Sequence, residues 1–201
     1  MREPSMPKIL RTAAKVILVY LAVFALWLLA AEKYHLLLGK AAGKLIPVVE
    51  TCSVDRIGYD QGVRYEISFY NPATHQILTA TGVVDTMQYG YPLVTFLVLA
   101  LAFPGPSGWG VRKRALLTFL GALILFTLYS VFIVVAVYEF LGQYHASPLK
   151  ENLIVRVFPP ALFTRYEIPL FVFLGQALPV SLWGAFFGWP LFAAKKSSSR
   201  L

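Results

Sequence analysis

Four long apolar runs, separated by polar segments, dominate the pattern of the chain. They cover residues 16–38, 89–103, 115–141 and 168–194. A helix needs about 20 mostly apolar residues to cross a bilayer, so the second run is short for a span. Prolines interrupt the fourth run, and neighbouring helices can satisfy the carbonyls they free, so a kink is expected near Pro179. The pattern predicts a membrane all-α protein built as a four-transmembrane-helix bundle.

A period-two alternation marks the long polar stretch between the first two runs, residues 39–88. Apolar and polar side chains alternate from position 63 to position 70, which predicts a half-buried strand. Residues 71–74 have turn chemistry, and residues 77–84 are rich in Thr, Val and Ile and predict a returning strand. A lone hairpin is marginal in water, so a third strand is expected around residues 51–57. Residues 41–49 can extend the first helix outward. The sequence therefore predicts a small external β-hairpin insert between helices 1 and 2.

These elements give a four-part organisation. Residues 1–38 form a cytoplasmic N-terminus and the first transmembrane helix, and residues 39–88 form the external insert. Residues 89–194 hold the other three helices, with an external loop at 142–166, and residues 195–201 form a cytoplasmic tail. The loop contains an apolar stretch at 157–163, which predicts an interfacial segment or a contact with the hairpin.

The charges fit alternating crossings. One side receives ten basic residues and one acidic residue, and the other eight basic and nine acidic residues, which together are the 18 basic and 10 acidic residues of the chain. Short cytoplasmic segments carry an excess of Lys and Arg, so both termini are predicted to be cytoplasmic. The net charge of +8 then reflects orientation signals near anionic lipid headgroups, and nucleic acid is not an expected partner.

The candidate chemistry centres on Cys52, the sole cysteine. A thiolate activated by His75, His145 or His35, with an arginine such as Arg56 or Arg64 nearby, would suit acyl transfer. No local signature ties these residues together, so a small packing residue is the favoured interpretation of Cys52. The three histidines lack the short spacings of metal ligands, and no nucleotide-binding motif is present, so neither a metal nor a cofactor is predicted. Gln176 is the one strongly polar side chain well inside a predicted span. A transport path usually needs more polar side chains within the membrane, so a transporter is not favoured.

The external segments are the candidate surface for a protein partner. The aromatic and histidine residues that we expect to make this contact are Tyr65, Phe69, Tyr70 and His75 in the hairpin and Phe158 and Phe163 in the second loop.

One stretch resembles a known family. Residues 85–93 read Asp-Thr-Met-Gln-Tyr-Gly-Tyr-Pro-Leu and enter a short apolar run that ends in Leu-Ala-Leu-Ala-Phe-Pro-Gly at 99–105; Arg112-Lys113-Arg114 and a long apolar run follow. This order resembles the small integral membrane proteins associated with bacterial exosortases, particularly the exosortase H-associated type. About 20 residues carry the likeness in detail, and the layout extends it over most of the chain.

The resemblance implies an accessory protein of the bacterial inner membrane, linked to an exosortase (PEP-CTERM-type) sorting system and without established chemistry of its own. It implies an exosortase-like membrane protein as the partner. Exosortases use a Cys, Arg and His set, but the chain lacks their pattern around Cys52, so those roles are not carried over. The alternatives are a membrane thiol peptidase or transpeptidase that uses Cys52, or a small transporter subunit.

Overall fold

The computed structural model describes residues 6–49, 52–71, 74–103, 105–106, 108–142 and 173–190. Its elements are helix α1 (Met6–Val49), strands β1 (Cys52–Tyr59), β2 (Val63–Asn71) and β3 (Gln76–Val84), and helices α2 (Met87–Ala102), α3 (Val111–Gly142) and α4 (Leu178–Trp183). Two π-helical segments, Phe173–Ala177 and Gly184–Gly188, flank α4.

Two of the helices are long and apolar enough to cross a membrane. The stretches that qualify are Leu10–Val48 in α1 and Val111–Val137 in α3. At a rise of 1.5 Å per residue, the 44 residues of α1 span about 66 Å, roughly twice the hydrocarbon core of a bilayer. The predicted extension of the first helix over residues 41–49 is confirmed, because α1 continues to Val49.

The predicted four-transmembrane-helix bundle is wrong, because only these two helices of the described chain qualify as spans. The second predicted span corresponds to α2, whose 16 residues cover about 24 Å, against a hydrocarbon core of about 30 Å. The described part of the fourth is divided into helical segments of five, six and five residues. The helix type changes just before Pro179, which lies in the first turn of α4, where a proline is tolerated.

The chain forms two compact units. Unit 1 comprises Met1–Ala30, Tyr91–Leu125 and Leu174–Leu201, and unit 2 comprises Ala31–Gly90 and Phe126–Phe173. Within unit 1, the ring of Phe96 fills the space where a Cβ of Gly121 would lie, so α2 and α3 approach closely at this point. The rings of Trp27 and Tyr91 lie 5.2 Å apart and join α1 to α2 in the same unit.

The sheet belongs to unit 2 and has the antiparallel order β1-β2-β3. The strands predicted from the alternating pattern are confirmed, and so is the third strand, which β1 supplies. Four apolar residues at alternate positions of β2 face the core: Val63, Tyr65, Ile67 and Phe69. The sheet therefore has one buried and one exposed face, as period-two patterning requires.

Two glycines of α1 let the sheet pack closely against it. The side chain of Val63 occupies the space where a Cβ of Gly39 would lie, and Ile57 does the same at Gly43. These glycines are four residues apart and share one face of the helix. The Tyr65 hydroxyl donates a hydrogen bond of 2.9 Å to the Gly39 carbonyl oxygen, and burial raises the pKa of Tyr65. This contact satisfies a buried polar group and fixes the register of β2 on α1.

We predict that Gly39→Ala destabilises unit 2. The new Cβ would overlap Val63, which is buried and β-branched and cannot swing away. Overpacking of this kind costs about 1–3 kcal/mol, which exceeds the gain of up to about 1 kcal/mol from replacing a helical glycine. Thermal unfolding in detergent, with hydrogen exchange of the β2 amides, measures the loss.

Gly58→Ala is the matched control, because nothing lies within 4 Å of a Cβ added there. We expect this variant to unfold at or above the wild-type temperature. Equal stability of the two variants would show that the close contact at Gly39 does not hold the sheet.

Candidate functional site on the sheet

The three residues of the candidate thiol site do not come together. Cys52 pairs directly with Phe69, so its half-buried side chain lies on the buried face of the sheet, whereas Arg64 lies on the exposed face opposite Gly58. The five-residue separation of Arg64 and Phe69 along β2 also places Arg64 about 17 Å from the row of Cys52. His75 lies in the turn between β2 and β3. The sheet thus provides no thiol site from Cys52, His75 and Arg64.

The predicted partner-contact residues divide between the two faces. Tyr65 and Phe69 are 1% and 2% exposed and belong to the core, so they offer no surface to a partner. Tyr70 and His75 are exposed. Phe158 and Phe163 lie outside the described residues.

An apolar patch covers the end of the β2–β3 hairpin. Tyr70 pairs directly with Ile77, and their side chains are 50% and 75% exposed. The Tyr70 hydroxyl and Nδ1 of His75 share a hydrogen bond of 2.7 Å. We call Tyr70, His75 and Ile77 the hairpin-tip patch. An exposed aromatic side chain beside a large aliphatic one is typical of the anchors of protein interfaces.

The backbone of this turn is held in an uncommon conformation. His75 has φ 54°, in the left-handed region that costs a non-glycine residue roughly 1–2 kcal/mol. The hydrogen bond to Tyr70 joins the turn to the end of β2 and limits how far the imidazole can move. The patch is therefore partly preorganised, which lowers the entropic cost of binding a partner.

A hydroxyl and carboxylate network crosses the exposed face. Ser53 donates a hydrogen bond of 2.8 Å to Asp55, Ser68 donates a short one to the other carboxylate oxygen, and the hydroxyls of Ser68 and Thr79 lie 3.0 Å apart. The bond from Ser68, and then that from Ser53, holds the pKa of Asp55 below its ordinary value. The network links all three strands.

A charged hollow occupies the end of the exposed face away from the tip. It has a volume of about 300 Å³, lies over Gly58 and is bordered by Arg56, Asp60, Arg64 and Glu66. Arg56 lies directly across from Glu66, so both signs of charge line the hollow. A lining of mixed charge complements a polypeptide surface that carries both signs of charge. A single small anion fits it less well, because carboxylates in the lining compete with that anion for the arginines.

The described residues contain no group of three or more His, Cys, Asp or Glu side chains that could hold a metal ion.

The alternating pattern already indicated some of the exposed residues that were not among the predicted contacts. The alternation that buries Tyr65 and Phe69 must expose the intervening positions, which include Glu66 and Ser68. We expected aromatic residues to make the contact because of their chemistry, although strand parity assigns two of them to the core. Ile77 was missed because its exposure follows from its pairing with Tyr70, which the sequence alone does not specify.

We predict that Asp55→Asn reduces the acid sensitivity of the sheet. A lowered folded-state pKa stabilises the fold above the ordinary carboxyl value of 3.8, and this contribution is lost as the pH falls below that value. When thermal unfolding at neutral pH is compared with unfolding below pH 3.8, the wild type should therefore lose more stability than the variant. Asp60→Asn, on the adjoining turn, is the control and should follow the wild type. Identical pH profiles for wild type and Asp55→Asn would contradict the role of the network.

The described sheet thus offers contact chemistry of three kinds: an apolar tip, a hydroxyl network and a charged hollow. Comparison of the chain with protein-family models, with curated proteins and with solved structures gave no match.

Proposed function

We propose that this chain is a membrane-anchored accessory protein whose sheet contacts a protein partner outside the bacterial inner membrane. The partner class is a sorting enzyme of the exosortase type, which the resemblance of residues 85–114 suggests. The function is binding, and the chemistry of the pathway belongs to the partner.

The exposed apolar surface of α1 carries the membrane part of the proposal. Only 11% of its most apolar window is buried inside the protein. Large apolar residues are exposed along this stretch, and Leu29 reaches 82%. Such residues include Leu18, Leu21, Leu26, Leu28 and Leu29. Apolar surface left in water costs about 25 cal/mol for each Å², so a helix of this kind favours lipid.

The charges of the two units support an orientation. The described part of unit 1 has six basic residues and no acidic residue: Lys8, Arg11, Lys15, Arg112, Lys113 and Arg114. The described part of unit 2 has five basic residues (Lys33, Lys40, Lys44, Arg56 and Arg64) and six acidic ones (Glu32, Asp55, Asp60, Glu66, Asp85 and Glu139). The positive-inside rule then favours a cytoplasmic start for α1 and an external sheet. The cytoplasmic placement of both termini stays a prediction.

Basic and aromatic side chains of unit 1 support the placement of a membrane boundary near the end of α2. Lys113 lies 4.1 Å from the ring centroid of Trp109, and Lys15 donates a hydrogen bond of 2.7 Å to the carbonyl of Ala102 at the end of α2. The indole N–H of Trp183 donates to the carbonyl of Phe103 at 3.2 Å. Tryptophan and lysine are typical of the boundary between lipid and water.

The hairpin-tip patch is the contact that we expect the partner to use. A photoreactive phenylalanine analogue placed at Tyr70 or Ile77 should crosslink the full chain, in native inner membranes, to the sorting enzyme. The same analogue at Val111, which is 82% exposed at the start of α3 and lies outside the sheet, is the control and should give a much weaker product. Mass spectrometry of the product identifies the partner. Products of equal yield at all three positions, or products without the sorting enzyme, would contradict the proposal.

A Cys52→Ala background separates binding from thiol catalysis in the same experiment. We expect the host pathway to retain its output in this background, because the partner performs the reaction. Loss of output with crosslinking intact would instead favour a thiol enzyme.

A further inference from the structure

The two outer strands of the sheet differ in how well they resist pairing with another strand. β1 has an irregularity in its register between Val54 and Arg56 and carries charges at Asp55 and Arg56. Bulges and charges are the usual protection of a sheet edge. β3 pairs with β2 at nine consecutive positions without irregularity, and it contains no charged residue and no proline. Among the described residues, no strand pairs with the outer side of β3.

An apolar cavity lies beneath this unprotected strand. Its volume is about 140 Å³, it is partly open, and it lies within unit 2. Its walls come from β2, β3 and α3 and include Tyr65, Ile67, Gly82, Val84, Ala136 and Phe140. No residue of β1 lines it, so the cavity lies toward the β3 side of the sheet. Dry apolar cavities of about this size can hold a ligand as large as benzene.

Gly82 lets the cavity and the edge meet. A Cβ at this position would lie 3.0 Å from the ring of Phe140, so the ring packs directly against the strand backbone. A glycine inside a strand commonly marks such a close approach. A strand added beside β3 would alternate its side chains between the two faces, and those beside Gly82 and Val84 on the buried face would point toward the cavity.

We propose that β3 binds an extended segment of the partner by strand addition, with one apolar side chain of that segment anchored in the cavity. This inference rests on the proposed function and names its mode of recognition. An extended peptide backbone forms hydrogen bonds with the outward N–H and C=O groups of β3 and also places a side chain in the cavity. A lipid acyl chain can fill the cavity but cannot form these hydrogen bonds. The uncharged β3 selects an uncharged segment, and Ile77 makes the edge continuous with the hairpin-tip patch.

The test uses the full chain in nanodiscs and a short synthetic peptide in which threonine alternates with valine and leucine. Hydrogen exchange should slow at alternate amides of Gln76–Val84 when the peptide is added, and β1 should not change. The same peptide with alternate backbone amides methylated is the control, and it should not bind, because it keeps the side chains but lacks the donors. Protection of β1, or equal binding of the methylated peptide, would overturn the proposal.

The anchor is tested separately by Ala136→Leu, which fills the cavity from the α3 side and leaves the edge intact. Peptide affinity should fall about tenfold, the value expected for one lost aliphatic anchor. Replacement of the central leucine of the peptide by serine should weaken binding similarly, and this change cannot unfold the protein. Unchanged affinity in both cases would overturn the anchor.

Two further results would assign β3 differently. Native mass spectrometry that finds a lipid bound to the wild type and lost from Ala136→Leu, with peptide affinity unchanged, would give the cavity to an acyl chain. Crosslinks from Val83 of one copy to Val83 of another would give the edge to self-association. Peptide binding without crosslinks from Tyr70 and Ile77 would reject the proposed function alone, and the reverse pattern would reject strand addition alone.

Discussion

The packing of β2 against the glycine face of α1 is the constraint on which unit 2 depends. A sheet with one apolar face needs a second layer to cover that face. Gly39 and Gly43 provide that layer at close range, and the bond from Tyr65 to the Gly39 carbonyl fixes the strand on the helix. The great length of α1 follows from this arrangement, because the helix first carries an exposed apolar stretch and then supports a sheet.

Much of the sheet could be predicted from the sequence, because period-two alternation reports burial directly. The strand from position 63 came from that pattern, its returning partner from a high content of Thr, Val and Ile, and β1 from the instability of a lone hairpin. The close contacts at Gly39 and Gly43 could not be predicted, since a glycine shows nothing of what will pack against it until the strand is placed. The same limit concealed the cavity, whose walls come from residues 65–84 and 136–140.

The number of spans could not be predicted from the lengths of apolar runs. The run at 89–103 has the composition of a span, but α2 ends at Ala102 after 16 residues and falls short of the bilayer core. The run at 168–194 contains three prolines, and its described part is a succession of short helical segments.

The central claim is that the exposed apolar side chains of α1 face lipid. Nitroxide labels at Leu21 and Leu29, with Val23 as the buried reference, test it in nanodiscs made with Cys52→Ala protein. Collisions with oxygen, which concentrates in lipid, are compared with collisions with a water-soluble nickel chelate. The account predicts high oxygen and low nickel accessibility at Leu21 and Leu29 and low accessibility to both at Val23. Nickel accessibility above that of oxygen at Leu21 and Leu29 would contradict it.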